Sequence, residues 1–142
     1  MKDPEQVVKA FVDAHNRHNI EELMSYLAES SVMIDVAAPI PLNSKADVRK
    51  LYEMIFTSLP DINFEVTGMV AQGNQVFAAF RTTATGKGNW MGRDISGKKC
   101  DVLEGVHMRI ENGQIQNTMF YSDSATLTKQ LGGYQTAVSS KW

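Results

Sequence analysis

An Asn112-Gly113 dipeptide between two long runs of alternating apolar residues constrains this chain more than any other feature. Both central residues of a type I′ turn need a positive φ, which asparagine and glycine adopt readily, so the dipeptide predicts a tight β-hairpin. If Glu111 pairs with Gln114, each later pair follows from the period of two along a strand. The predicted pairs are Ile110 with Ile115, Met108 with Asn117, Val106 with Met119, Glu104 with Tyr121, and Val102 with Asp123.

This register places two carboxylates on the apolar face of the hairpin. Glu104 and Asp123 share that face with Tyr121, whereas His107 lies on the opposite, mainly polar face unless a bulge intervenes. A carboxylate that faces a core needs a partner, a proton or a functional reason. We therefore expect the rest of the chain to enclose a cavity around Asp123.

The composition predicts one domain with a ligand of low charge. A chain of 142 residues, 43% of them hydrophobic, is long enough to bury its own core, so we expect a single domain over residues 1–132 and a polar tail over 133–142. The net charge of -2 contains no long run of one sign, which argues against nucleic-acid and membrane partners. The one cysteine, Cys100, has no internal partner and no apolar signal segment precedes the first helix, so a cytoplasmic location is expected. The three histidines are scattered along the chain, and we expect no metal and no cofactor.

Helices come first along the chain and strands follow. Capping signals at Asp3, Asn19 and Ser44 predict three helices, the third of which ends at Pro60. A brief strand over 32–36, followed by a proline-containing loop, separates the second helix from the third. Two strands around Gly73-Asn74, a glycine-spaced loop, the hairpin and a short helix complete the order. This order predicts an α+β domain in which a curved antiparallel sheet wraps around the N-terminal helices and encloses an internal pocket.

Four stretches spread over nearly the whole chain resemble one family of proteins. They are VVKAFVDAHNRHNIEELMSYLAESSVMID, FTSLPDINFEV, TGKGNWMGRDISGKK and RIENGQIQNTMFYSDSATLTKQLG. These stretches are similar to the SnoaL-like polyketide cyclases of the nuclear transport factor 2-like superfamily, in which a hairpin and an aspartate precede Leu-x-x-Gln-Leu-Gly. The resemblance implies a cone-shaped half-barrel whose concave face holds an apolar pocket, usually within a homodimer.

The same resemblance implies an activity. In cyclases of this type an aspartate at the position of Asp123 is the general base, and a histidine, here His107, assists the developing enolate. The implied reaction is an aldol-type ring closure or isomerisation of a small polyketide-like carbonyl compound. Burial beside Met119 and Tyr121 is expected to raise the basicity of Asp123. A non-catalytic module that binds a small apolar ligand, and an epoxide hydrolase with two pocket carboxylates around an arginine, remain as alternatives.

The N-terminal stretch also resembles the ketosteroid isomerases. Asp35 falls where those enzymes hold their proton-abstracting aspartate, which makes Asp35 a candidate acid, base or orienting group. Phe11 stands where their oxyanion-hole tyrosine would be, and a phenylalanine has no hydroxyl to donate. Isomerase chemistry of that form is therefore not expected.

Each candidate also has a purely structural explanation. Asp123 stands where aspartate is a preferred helix N-cap, and Asp35 can cap the loop after its strand. His107 can be solvated or lie at an interface, and Trp90 either closes the pocket mouth or packs on its own loop. The residues that we expect to contact the ligand are Glu104, Tyr121, Met119, Asn117, Met108, Trp90, Phe11 and Met33.

Overall fold

A computed structural model describes residues 3–36, 38–90 and 92–132, without the side chains of residues 38–40. The expected polar tail over 133–142 lies outside the described residues. The helices are α1 (Pro4–Asn16), α2 (Ile20–Ser25), α3 (Lys45–Ser58) and α4 (Ser124–Gln130). The strands are β1 (Leu27–Asp35), β2 (Ala38–Leu42), β3 (Asn63–Gln72), β4 (Gln75–Thr85), β5 (Asn89–Trp90), β6 (Arg93–Asp94), β7 (Lys99–Glu111) and β8 (Gln114–Ser122).

The three predicted N-terminal helices are present, and each begins at the predicted cap. Asp3 accepts a hydrogen bond from the backbone of Glu5 at 3.0 Å. Asn19 and Ser44 each accept one from a backbone N–H three residues further on, both at 3.1 Å. These side chains satisfy N–H groups that have no partner within the helix, so the helix starts follow from local sequence. No helix among the described residues is long and apolar enough to cross a membrane.

Six strands form one curved, unclosed sheet in the order β2-β1-β8-β7-β4-β3. The sheet is mixed rather than purely antiparallel, because β1 pairs with β8 in parallel. The predicted loop with Pro39 and Pro41 is instead strand β2. This strand forms one edge of the sheet, the position where prolines are tolerated, because an edge strand pairs on one side only.

The predicted hairpin turn is present, but the predicted register is wrong beyond Ile110. Asn112 and Gly113 have φ values of 53° and 76°, as a type I′ turn requires. Ile110 pairs with Ile115, whereas the next residue, Arg109, pairs with Asn117. Gln116 is therefore an extra residue in a β-bulge, and every later β8 side chain points to the face opposite the predicted one.

The bulge determines which β8 residues face the helices. Val106 pairs with Phe120 and Glu104 with Ser122, so Phe120 and Ser122 replace the predicted Met119 and Tyr121 on the concave face. The core between this face and the helices contains Val7, Val8, Phe11, Leu23, Phe80, Val106, Met108, Ile110 and Ile115.

The glycine-spaced segment after β4 folds back over the end of the sheet. It contains the short β5–β6 hairpin, and Ile95 beyond it is buried. The carbonyl oxygen of Ile95 lies 2.1 Å from where a Cβ on Gly86 would be, so only glycine permits this close approach. The contact holds the segment against the sheet and brings Trp90 to the rim of the space between sheet and helices.

Candidate active site

A cavity of about 300 Å³ lies between the concave face of the sheet, α3 and the β5–β6 hairpin. This volume is at the lower end of the range of about 300 to 1,000 Å³ that is usual for small-molecule sites. Most of the wall is apolar, with Leu51, Ile55, Phe64, Val102, Phe120 and Leu127 among the lining residues. The polar or ionisable side chains in it are those of His15, Asp35, Tyr52, Thr82, Cys100, Glu104 and Ser122.

Glu104 is the carboxylate that β7 presents to this cavity. The Oγ1 of Thr82 donates a hydrogen bond to Oε1 of Glu104 at 2.5 Å. The Oγ of Ser122 donates to Oε2, which follows from the pairing of Glu104 with Ser122 beyond the bulge. Two hydroxyl groups from neighbouring strands therefore hold the carboxylate in one orientation.

Tyr52 and Cys100 remain neutral at physiological pH. Burial raises the pKa of Tyr52 far above its usual value, and the negative charge of Glu104 raises it further. Burial, with a smaller effect of Glu104, raises the pKa of Cys100 to about 11. Tyr52 is therefore a hydroxyl donor, and Cys100 has little thiolate character.

His15 on α1 is completely buried, and aromatic rings surround it. Its ring stacks on Phe64 with centroids 3.6 Å apart, and Nδ1 lies 3.0 Å from Oδ1 of Asn16. Nε2 has no hydrogen-bond partner among the described residues. Burial is the main cause that lowers the pKa of His15 to about 4, so the imidazole is neutral at pH 7.

Asp35, Trp90 and Met33 also line the cavity. Asp35 is exposed at the end of β1, where it pairs in register with Phe120. It therefore stands near the open side of the cavity, whereas Glu104 is partly buried.

Asp123 does not line the cavity, contrary to the expectation that it faces the core. It is exposed and caps α4, accepting hydrogen bonds from the backbone N–H of Thr126 at 3.1 Å and from Thr126 Oγ1 at 2.6 Å. These bonds, the side-chain bond first, lower the pKa of Asp123, the reverse of the expected rise in basicity. The physical reason is the bulge, which turns this end of β8 over and leaves the carboxylate in solvent.

His107 likewise lies outside the cavity, on the convex face of the sheet. Its Nε2 is 2.6 Å from Oε1 of Gln75 on the neighbouring strand. The predicted register put His107 and Asp123 on opposite faces unless a bulge intervened. A bulge does intervene, and it turns the end of β8 so that Asp123 falls on the same side as His107, the face that the cavity does not use.

The other expected ligand contacts divide into two groups. Asn117, Met119 and Tyr121 follow the bulge to the convex face, where Asn117 accepts from the Arg109 guanidinium at 2.7 Å. Met108 and Phe11 are buried in the core and do not line the cavity.

Five of the polar or ionisable lining residues were not among the predicted contacts: His15, Tyr52, Thr82, Cys100 and Ser122. A signal for two of them was present in the sequence, because His15 and Tyr52 stand in the apolar stripes of α1 and α3, where a polar group needs an explanation. Ser122 had no such signal, since its orientation depends on the bulge.

Among the described residues, no group of three His, Cys, Asp or Glu side chains is arranged to hold a metal ion. Arg81 is bound to Asp101, with Nε 2.7 Å from Oδ1, and Arg109 pairs with Glu111. The arginine that an epoxide hydrolase would need beside its carboxylates is therefore missing from the described lining.

The helices, the curved, unclosed sheet and the internal apolar cavity give this chain the fold of the nuclear transport factor 2-like proteins. The chain belongs to the SnoaL-like polyketide cyclase family, whose model matches residues 5–131. Solved structures share the fold at low sequence identity. AclR of Streptomyces galilaeus, a provisionally assigned hydroxylase, has a TM-score of 0.81 and 22% identity over 94% of this chain and 87% of its own. IdmH of Streptomyces antibioticus, a provisionally assigned polyketide cyclase, has a TM-score of 0.78 and 20% identity over 92% and 99%.

A SnoaL-like protein of Jannaschia sp. CCS1, also provisionally assigned as a polyketide cyclase, has a TM-score of 0.83 and 14% identity, with 92% of each chain covered. No protein of curated function matches the sequence. At these identities the neighbours show the fold alone.

Proposed function

We propose that the protein catalyses ring closure or isomerisation of a small, mainly apolar carbonyl compound through an enolate, with Glu104 as the general base. The observation that carries this proposal is the carboxylate of Glu104, oriented by the hydroxyls of Thr82 and Ser122 in an otherwise apolar cavity. Membership of a cyclase family supports the same class of reaction.

In the proposed reaction, Glu104 removes a proton from a carbon next to a carbonyl group, and the electron pair moves to the carbonyl oxygen. The neutral hydroxyl of Tyr52 donates a hydrogen bond to that oxygen. The enolate carbon then attacks a second carbonyl of the same molecule and forms the new C–C bond. The resulting alkoxide recovers the proton from Glu104, so the cycle needs no added reagent. The apolar wall strengthens each of these interactions by excluding water.

Asp35 has an orienting role in this proposal. It stands at the open side of the cavity, so its carboxylate is suited to bind a polar end of the substrate. Trp90 limits the cavity on the side of the β5–β6 hairpin and reduces access of water to the enolate.

Proton abstraction is testable without knowledge of the natural substrate. We expect the protein to accelerate deuterium exchange at the carbon between the carbonyls of an apolar bicyclic 1,3-diketone, 2-acetyl-1-tetralone, followed by proton NMR. Glu104→Gln should lower the enzyme-dependent rate by about 10²- to 10⁴-fold, which is the contribution of a positioned base. Glu111→Gln, the same change at an exposed position of the same strand, is the matched control. Equal exchange rates in the Glu104→Gln variant and the wild type would remove Glu104 from this role.

Asp123→Asn distinguishes Glu104 from the base that the family resemblance implies. Asparagine keeps the helix cap and removes the carboxylate, so we expect the exchange rate to remain within about twofold of the wild type. A loss as large as that of Glu104→Gln would assign the proton abstraction to Asp123. Binding of the diketone with no exchange in any form of the protein would indicate a non-catalytic binding module.

A further inference from the structure

The orientation of the Asn16 side chain fixes the tautomer of His15. The backbone N–H of Phe64 donates to Oδ1 of Asn16 at 2.8 Å, and Nδ2 of Asn16 donates to the carbonyl of Phe64 at 2.9 Å. The amide therefore cannot be reversed without losing both bonds. Nδ1 of His15 lies 3.0 Å from this same Oδ1, which is an acceptor, so Nδ1 carries the proton.

The other ring nitrogen, Nε2, is consequently a hydrogen-bond acceptor. A neutral imidazole has one N–H and one lone pair, and burial keeps this imidazole neutral by lowering its pKa to about 4. The ring of His18, 6.5 Å away, opposes a positive charge on His15 as well.

No described residue satisfies this acceptor. The rings around His15 are those of Phe64, Phe56 and Tyr52, with centroids 3.6, 5.4 and 6.1 Å away. Nε2 is buried without a hydrogen-bond partner among the residues that the structure describes. A buried acceptor without a donor is costly, and in native proteins such a group usually has a specific reason.

The His15 ring forms part of the cavity wall. Phe64 covers one face of the imidazole and Asn16 closes the Nδ1 edge, yet His15 is a lining residue of the cavity that also contains Glu104. Nε2 is the ring nitrogen of His15 that has no partner among the described residues.

We propose that the cavity takes a ligand with a hydroxyl group, an alcohol or a phenol, that donates a hydrogen bond to Nε2 of His15. This hydroxyl is separate from the carbonyl that reacts at Glu104. The proposal rests on the proposed function only for the chemistry at Glu104, since the binding of the hydroxyl requires no reaction. The substrate class is thus a hydroxylated, otherwise apolar carbonyl compound.

Three bicyclic probes test the hydroxyl contact. 2-Naphthol has the donor, naphthalene is smaller and lacks it, and 2-methoxynaphthalene is larger and lacks it. By calorimetric titration we expect the wild type to bind 2-naphthol roughly tenfold more tightly than either of the other two. His15→Phe, which retains a ring to stack on Phe64, should bind all three with similar affinity.

Nitrogen-15 NMR of the wild-type imidazole gives a second measurement that needs no variant. In the free protein, Nδ1 of His15 should be protonated and Nε2 should not. Addition of 2-naphthol, and not of 2-methoxynaphthalene, should shift the Nε2 resonance towards that of a hydrogen-bonded acceptor. A protonated Nε2 in the free protein would overturn the proposal.

Other outcomes also contradict it. Equal binding of the three probes by the wild type, or no binding at millimolar concentration, excludes the hydroxyl contact. A preference for 2-naphthol that persists in His15→Phe assigns the acceptor to another group, such as Glu104. If Glu104→Gln leaves deuterium exchange unchanged but the His15-dependent preference remains, the proposed function fails and the hydroxyl site stands. If Glu104→Gln lowers deuterium exchange but the three probes bind equally, the proposed function stands and only the hydroxyl site is excluded.

Discussion

At the scale of single residues, two ionisable side chains with opposite environments define this protein. His15 is buried among aromatic rings and has lost its charge, whereas Asp123 is exposed, charged and bound to the start of a helix. The environment of His15 should affect how stability depends on pH, and the cap at Asp123 should affect the stability of α4. Each expectation can be measured.

The free energy of unfolding should depend on pH through His15. Its pKa of about 4 in the folded protein lies below the value of 6.5 for an unperturbed histidine, so between these values the unfolded chain binds a proton that the native protein does not. Stability should therefore fall as the pH falls from 6.5 to 4, by at most about 3 kcal/mol.

Urea unfolding of the wild type and His15→Phe at several pH values isolates this contribution. The carboxylates titrate in both proteins, so the difference between the two stability curves reports His15. We expect the wild type to lose more stability than the variant between pH 6.5 and pH 4. Parallel curves would mean that His15 is not neutralised by burial.

The cap at Asp123 predicts a structural effect of its removal. Asp123→Ala leaves the backbone N–H of Thr126 without its acceptor, so the thermal midpoint should fall by roughly 2 to 6 °C. Asp123→Ser restores a capping oxygen and should recover most of the loss. Circular dichroism during heating measures both variants, and an unchanged midpoint in Asp123→Ala would show that the cap does not stabilise the fold.

At the scale of elements, the bulge at Gln116 decides the composition of the cavity wall. It places Phe120 and Ser122 on the concave face and sends Met119, Tyr121 and Asp123 away from it. A regular hairpin with the same sequence would put Tyr121 against the helices and remove the hydroxyl that binds Glu104. The one extra residue, Gln116, therefore decides which β8 side chains line the cavity.

Deletion of both Gln116 and Asn117 should shift the register beyond the turn and disrupt the protein. Thr118 would then lie opposite Arg109, so the buried Thr118 and the lining residue Phe120 would turn outwards, a change that the core cannot accommodate. We expect loss of cooperative unfolding, or loss of soluble protein. Deletion of Gln116 alone is the control, because it removes only the extra residue and keeps Arg109 opposite Asn117. A double-deletion variant with a wild-type midpoint would show that this register is dispensable.

At the scale of the whole molecule, the convex face of the sheet carries an apolar surface. Val70, Phe77, Leu103 and Tyr121 are exposed there, on neighbouring strands, with Leu103 exposed by 68%. Apolar patches of this kind often mark interaction sites. We therefore propose that the homodimer implied by the family resemblance forms through this face.

Leu103→Lys tests that proposal. A charge in the centre of the contact should convert a homodimer into a monomer, because burying an unpaired ammonium group is strongly unfavourable. Light scattering after size-exclusion chromatography measures the mass, and Lys99→Ala, an exposed change on the same strand, is the control. A monomeric wild type, or a Leu103→Lys protein that stays dimeric, would contradict a homodimer through this face.

The sequence alone determined the features that depend on neighbouring residues. These features are local, because each needs only a few residues to specify its geometry. They are the helix caps at Asp3, Asn19 and Ser44, the Asn112-Gly113 turn and the alternation along β4 and β7. The resemblance to the SnoaL-like family, carried by motifs along the whole chain, predicted the class of fold.

Only the tertiary structure decided which side chains enter the cavity. The bulge at Gln116 places Thr118, Phe120 and Ser122 on the inner face of the sheet in place of Asn117, Met119 and Tyr121. The parallel pairing of β1 with β8 joins distant parts of the chain and left no local signal. The sequence therefore predicted Glu104 on the inner face from β7 alone, whereas the positions of Asp123 and Ser122 depended on how the whole sheet meets the helices.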